Sequence, residues 1–234
     1  MKNRAIFALA LFCFSLAASA AVTAVGTPDS STGASTTPST AHTVPSGTDV
    51  SYICISAGSD ATISAMSNFG GVAPQLVGDL GPLHLYRVVN PSAGATTAQG
   101  TLSVSATWSI HVQDLDGADT ADPDDTPVTG ENSEQAEVDT GSITSATGDM
   151  VVACGYMVTD TIAAAAGSTL STEEEAIDGS FTSSAMVYEA GAATVVVGVS
   201  SSATFGDNSI IGTNVNAAGG GGGSSGLLKR RRGN

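Results

Sequence analysis

The sequence predicts an all-β fold: a single jelly-roll-like β-sandwich of about ten antiparallel strands with little helix. Three observations carry that expectation. The apolar content of 41% is drawn mostly from Ala, Val and Ile, and it is diluted by Ser, Thr and 28 glycines, with only 12% of residues charged. Short apolar runs recur between turn residues from Ala41 onward, at the spacing of strands joined by tight connections. Helical periodicity is nearly absent, and β-branched residues are favoured on pleated surfaces.

The first segment, MKNRAIFALALFCFSLAASA, has a basic start, an apolar stretch and the small residues Ala18, Ser19 and Ala20 before Ala21. That is the pattern of a secretory signal, so residues 1–20 are expected to be removed by cleavage after Ala20. The apolar stretch is short for a membrane span, and no later segment approaches one, so no transmembrane segment is expected in the mature chain. Residues 21–39 are small and polar, punctuated by Pro28 and Pro38, and read as a Ser/Thr/Pro-rich linker or N-terminal arm that begins with a short strand at most.

The sandwich is expected over residues 40–217. Its runs are AHTV before Pro45, VSYICIS before Gly58, ATISAMSNF before Gly70 and Gly71, and LHLYRVV before Asn90 and Pro91. TLSVSATW running into SIHVQ follows, then AEVDTGSIT, MVVACGYMV, SSAMVYEA, ATVVVGVS and SIIGTNV. Alternation in TLSVSATW places Leu102, Val104, Ala106 and Trp108 on one face and Thr101, Ser103, Ser105 and Thr107 on the other. One stretch departs from the strand pattern. In TIAAAAGSTLSTEEEAIDG, Ser171 and Glu174 have capping-box spacing, which reads as a short helix, while the alanines and Gly167 fit a loop excursion; Glu173, Glu174 and Glu175 read as a solvated face. Residues 218–234 form a glycine-rich flexible tail ending in the basic cluster Lys229, Arg230, Arg231 and Arg232, suited to an acidic surface or an anionic partner.

The formal net charge is −15, and between Ala5 and Leu228 the 22 acidic residues face Arg87 alone. Such a body repels nucleic acid and anionic membranes, so neither is expected as a partner of the acidic body. Export also changes how the cysteines read. Cys13 leaves with the signal, and Cys54 and Cys154 sit in strand-like runs, either paired as a disulfide or buried as separate thiols.

Catalytic patterns occur only where their structural context is missing. Gly222, Ser224 and Gly226 match G-x-S-x-G, but they lie in the glycine tail with no strand before them and no helix after them. His42, His84 and His111 stand alone in separate strand-like runs, so no acid, base or nucleophile set can be named and no enzymatic activity is expected. The stretch DLDGADTADPDD over residues 114–125 departs from the calcium loop of EF-hand type. Asp116 fits the third position, but Ala118 stands at the fifth and Gly117 comes early. Calcium tolerates irregular oxygen cages, and Asp114, Asp116 and Asp119 remain candidate calcium ligands across a tight turn. No other cofactor is expected.

The order of AHTVPSGTDVSYICIS, TISAMSNFGGVAPQLVGD, LHLYRVVNPSAG, DGADTADP, ITSATGDMVVACGYM and ATVVVGVSSSATFGDNSIIGTNV resembles a β-sandwich domain that recurs in secreted bacterial surface proteins and phage structural proteins. In that family's pattern Gly117, Ala118, Asp119 and Pro123 mark the exit from a core strand. The resemblance implies a display, adhesion or assembly module with no active-site residues to carry over. The expected function is an exported, non-catalytic structural or surface-interaction protein of a bacterial envelope or phage particle. Its expected partner is a protein, a surface glycan or another copy of itself. The alternatives are a calcium-dependent or carbohydrate-binding module and, last, a secreted hydrolase.

Overall fold

A computed structural model describes residues 20–58, 61–175, 177, 182–202 and 206–219. The expected signal segment up to residue 19 and the basic cluster at Lys229 to Arg232 lie outside the described residues. The described residues hold 18 strands in five sheets and no helix. The first eight are β1 (Thr23–Ser35), β2 (Ser39–Val44), β3 (Val50–Ala57), β4 (Ile63–Met66), β5 (Gln75–Leu80), β6 (Leu83–Val89), β7 (Gly94–Leu102) and β8 (Ala106–Asp116). Then follow β9 (Val128–Ser133), β10 (Glu137–Asp139), β11 (Ile143–Thr144), β12 (Met150–Met157) and β13 (Ala163–Ala164). The last five are β14 (Thr169–Glu174), β15 (Ser183–Ala190), β16 (Thr194–Val195), β17 (Gly198–Ser200) and β18 (Asp207–Val215).

Two five-stranded antiparallel sheets, β1-β8-β3-β6-β5 and β14-β15-β12-β18-β9, pack face to face. Between them lies one apolar layer, with Val50, Tyr52, Cys54, Leu83, Leu85 and Leu115 from the first sheet meeting Met150, Val152, Cys154, Met186, Ile211 and Val215 from the second. Each sheet is also covered on its outer face. Ile53, Ile55, Val88, Ile110 and Val112 pack under the small sheet β2-β7-β4, and Val151, Ala153, Met157, Ala185 and Val187 pack under β10-β17-β13 and β11-β16. The result is four layers, with β3 and β12 buried on both faces. Strands covered on both sides need apolar residues at successive positions, which is why VSYICISA and MVVACGYM read as nearly continuous runs.

The two halves share one strand order. Reading β1, β8, β3, β6, β5 across the first sheet corresponds, position for position, to β9, β18, β12, β15, β14 across the second. The register repeats as well: Cys54 lies between Leu85 and His111, as Cys154 lies between Met186 and Ile211. Both β5 and β14 carry a register shift at matching places, between Leu76 and Gly78 and between Leu170 and Thr172. Asp49 Oδ2 accepts from Gly117 N at 2.7 Å, and Asp149 Oδ1 accepts from Ala217 N at 2.9 Å, so each half fastens the end of its last strand by an equivalent carboxylate.

Several expectations change. The described chain forms more strands than the about ten expected, and they are arranged as two sandwiches back to back. Residues 21–39 are no loose arm, because β1 runs antiparallel to β8 from Thr23 to Ser35 and supplies one edge of the first sheet. TLSVSATW is divided by a turn: β7 ends at Leu102, β8 begins at Ala106, and Val104 between them is 47% exposed. Ser171 and Glu174 lie on β14, paired along β15, and not on a helix, while Gly167 before them sits in a turn at φ +94°. Ladder bonds to a neighbouring strand outweigh the weak local helix preference there.

Candidate functional site

β8 carries polar groups on both faces, and they form two separate clusters. On its outer face Asp114, 1% exposed, meets His42 of β2, whose Nε2 lies 2.6 Å from Asp114 Oδ2. His42 Nδ1 lies 2.7 Å from Asp29 Oδ2 on β1, and Ser51 of β3 donates its hydroxyl to Asp114 Oδ1. Phe69 stacks on the imidazole with ring centroids 5.7 Å apart. Burial works to lower the His42 pKa, but the hydrogen bond and charge of Asp114, and then those of Asp29, outweigh it and raise it. His42 is thus suited to be an imidazolium clamped between two carboxylates, donating from both ring nitrogens. Asp29, with a side chain 40% exposed, is the only part of the cluster open to water.

β1 reaches Asp29 through an irregularity after Val25, where Gly26 takes φ +72° and Pro28 removes a backbone donor. A Cβ on Gly26 would stand 2.5 Å from Pro45 Cγ, so glycine is required for that close approach. The arrangement lacks a nucleophile beside the imidazole, because both ring nitrogens face carboxylates and Ser51, fully buried, bonds Asp114 instead. Its chemistry is that of a fastening between β1, β2, β3 and β8.

The inner face of β8 forms a polar seam against the second sheet. His111 is fully buried, with Nδ1 2.9 Å from Thr172 Oγ1 and Nε2 2.8 Å from Ser184 Oγ, and Ser184 in turn bonds Ser109. Two residues along, Gln113 Oε1 accepts from Ser171 Oγ at 2.6 Å. Ser171 and Thr172 are consecutive, yet both reach β8, because the register shift in β14 brings both side chains toward the same sheet. Burial pushes the His111 pKa down to about 3, so the ring is neutral and pairs with hydroxyls rather than with charges. Beyond Ser109 the seam meets a cleft of about 220 Å³ lined in part by Ser56, Thr107, Tyr156 and Thr182. The described residues that line it offer a polar ligand hydroxyls from Ser56, Thr107, Tyr156 and Thr182.

The three candidate calcium ligands are not brought together. Asp114 has both oxygens engaged by His42 and Ser51, Asp116 Oδ1 accepts from Gly117 N at 2.8 Å, and Asp119 Oδ1 accepts from Ala121 N at 2.9 Å in its own turn. Among the described residues no group of three or more His, Cys, Asp or Glu side chains is placed to hold a metal ion. The rest of DLDGADTADPDD is committed to the fold: Asp124 forms an ion pair with Arg87, and Asp125 N donates to Asn214 O at 3.1 Å. Cys54 and Cys154 form a disulfide with Cα atoms 5.9 Å apart, in the layer between the two large sheets. His84 is 8% exposed and its Nε2 has no hydrogen-bond partner among the described residues; burial lowers its pKa against the opposing charge of Asp79.

Sequence reasoning did not single out Asp29, His42 and Ser51 as one cluster, because its members come from three strands and only tertiary contact joins them. A signal for the repeat was nonetheless printed in the chain. Thr-Pro occurs at Thr27-Pro28 and Thr126-Pro127, Asp precedes a core strand at Asp49 and Asp149, and the cysteines are 100 residues apart, all at one spacing to within a residue.

No family model matches the chain, and neither a curated protein nor a solved structure matches it.

Proposed function

We propose that the chain is an exported, non-catalytic structural or surface-interaction protein of a bacterial envelope or phage particle, built on jelly-roll-like sandwich units. The observation that supports this reading is the Cys54–Cys154 disulfide, which ties together the central strands of the two large sheets. Disulfides persist in oxidising compartments and are rare in the cytosol, which agrees with the secretory pattern of residues 1–20. The buried polar groups agree with a passive scaffold: His42 and His111 are consumed by partners inside the fold, and neither faces the cleft. Jelly rolls serve shells and lectins alike, so the fold by itself does not choose between envelope and particle. Calcium at Asp114 is left out of this reading because its oxygens are already engaged.

Mass spectrometry of washed envelopes, purified particles and cytosol from cells producing the chain tests the proposal. The expected result is a mature N-terminus at Ala21 in an envelope or particle fraction, with an oxidised Cys54–Cys154 peptide. A chain that retains residues 1–20 and reduced cysteines in the cytosol would sink it.

A further inference from the structure

We infer that the chain is two copies of one sandwich unit fused in tandem, and that the face between its two large sheets is a self-association surface that fits the same face of a second copy of this chain. Shared strand order, shared register and matching irregularities in β5 and β14 make the two five-stranded sheets equivalent strand by strand. The contact between them follows the exchange of one half for the other. β8 packs on β14 and β15, and the equivalent β18 packs on β5 and β6. With that reciprocity, the bond between the equivalent residues Cys54 and Cys154 places the halves about a pseudo-two-fold axis. The face is therefore of the isologous kind, the same patch supplied twice, as in a symmetric dimer.

Matching positions along this face show how far the copies have diverged. His111, bonded to Thr172, has as its counterpart Ile211, and a Cβ built on Gly78, the counterpart of Thr172, would stand 2.6 Å from Ile211 Cδ1. A polar contact on one side of the axis corresponds to an apolar one on the other. The first half's β8 therefore prefers the second half's β14, and the preferred partner in a neighbouring molecule is its opposite half.

In the reduced, unfolded chain the halves are joined by the single connection from β8 to β9, residues 117–127, and after folding by the Cys54–Cys154 bond as well. Eleven residues can span about 36 to 40 Å when extended. That reach lets the second half of one chain dock on the first half of another, as in exchange of an element between protomers. One chain is then left with an unfilled first half and the other with an unfilled second half, so the contact either closes as a pair or continues from chain to chain.

Wild-type chains, natural and ¹⁵N-labelled, are reduced, unfolded together and refolded at rising concentration with oxidised and reduced glutathione. In the bond-forming step the two thiols lose two protons and two electrons to oxidised glutathione, which leaves as two reduced molecules. Folded dimer is isolated by size and checked for β-sheet circular dichroism, and its Cys54–Cys154 peptide is weighed. The expected result is a mixed light and heavy peptide whose share rises with concentration. No folded dimer at any concentration, or peptides that are only light or only heavy, overturns the inference. A second arm keeps the test independent of refolding yield: Cys54→Ser and Cys154→Ser chains, both carrying Cys13→Ser, are co-refolded. A covalent heterodimer more abundant than in the same mixture held in denaturant supports the surface. A heterodimer no more abundant than that refutes it.

Discussion

His42 and His111 occupy opposite faces of the β8 region and are held in opposite protonation states, so they give the protein two opposed pH dependences. His42, clamped between Asp29 and Asp114, has a raised pKa, so its folded state binds a proton more tightly than the unfolded chain. The stability it contributes is fully present below the unfolded value of about 6.5 and is lost as pH rises through the folded value. His111 runs the other way. Its pKa is pushed down to about 3 by burial, so stability is present above the unfolded histidine value and is lost as pH falls toward 3. Urea unfolding across pH should therefore show a stability maximum, with His42→Gln flattening the alkaline limb and His111→Leu flattening the acidic one. An unchanged alkaline limb in His42→Gln would contradict the clamp. Asp29→Asn, at the water-exposed end, is expected to cost about 1 kcal/mol, whereas Asp114→Ala strips a buried charge partner and should cost about 3 to 5 kcal/mol. The three aspartates suggested a metal at sequence level because composition shows carboxylates but not their partners. His42 lies 72 residues from Asp114, and nothing local announces the pair.

At the scale of elements, the sequence showed best those strands buried on both faces and least those at edges. VSYICISA and MVVACGYM are legible because nearly every position is buried and the apolar run is nearly continuous. β1 and β14 are edge strands built from Ser, Thr, Gly and Glu, and only pairing with β8 and β15 reveals them as strands. The outer layers supply a packing test. In the first half Ile55 of β3 reaches over Gly100 of β7, where an added Cβ would meet Ile55 Cδ1 at 3.2 Å. In the second half the sizes are reversed: Gly155 of β12 leaves room for Val199 of β17, and a Cβ there would stand 2.6 Å from Val199 Cγ2. Valine is stiff at χ1, so it cannot swing aside cheaply. Gly155→Ala should destabilise by about 1 to 3 kcal/mol through overpacking, and Gly155→Ala with Val199→Ala should recover part of that loss. Strictly additive losses in the double variant would show that the two residues do not share this space.

For the molecule as a whole, the all-β class could be read from composition, but two sandwiches looked like one because the repeat rests on spacing and not on similar words. The halves keep Thr-Pro, the aspartate before the core strand and the cysteine, while most other positions differ. Their union is what the last prediction addresses. The disulfide joins residues 100 apart, and in the chain-entropy model a loop of that length is worth about 4 to 5 kcal/mol through the unfolded state. Replacing both cysteines in Cys54→Ser with Cys154→Ser should therefore lower the melting temperature by several degrees. It should not make the halves melt separately. Val50, Leu85 and Leu115 face Met186, Ile211 and Val215 in a shared apolar layer, and an isolated half would expose its side of that layer to water. The calorimetric and van't Hoff enthalpies of the double variant should remain equal, the mark of a single cooperative transition. Two resolved transitions would mean that the bond, and not the packed face, had been coupling the two units.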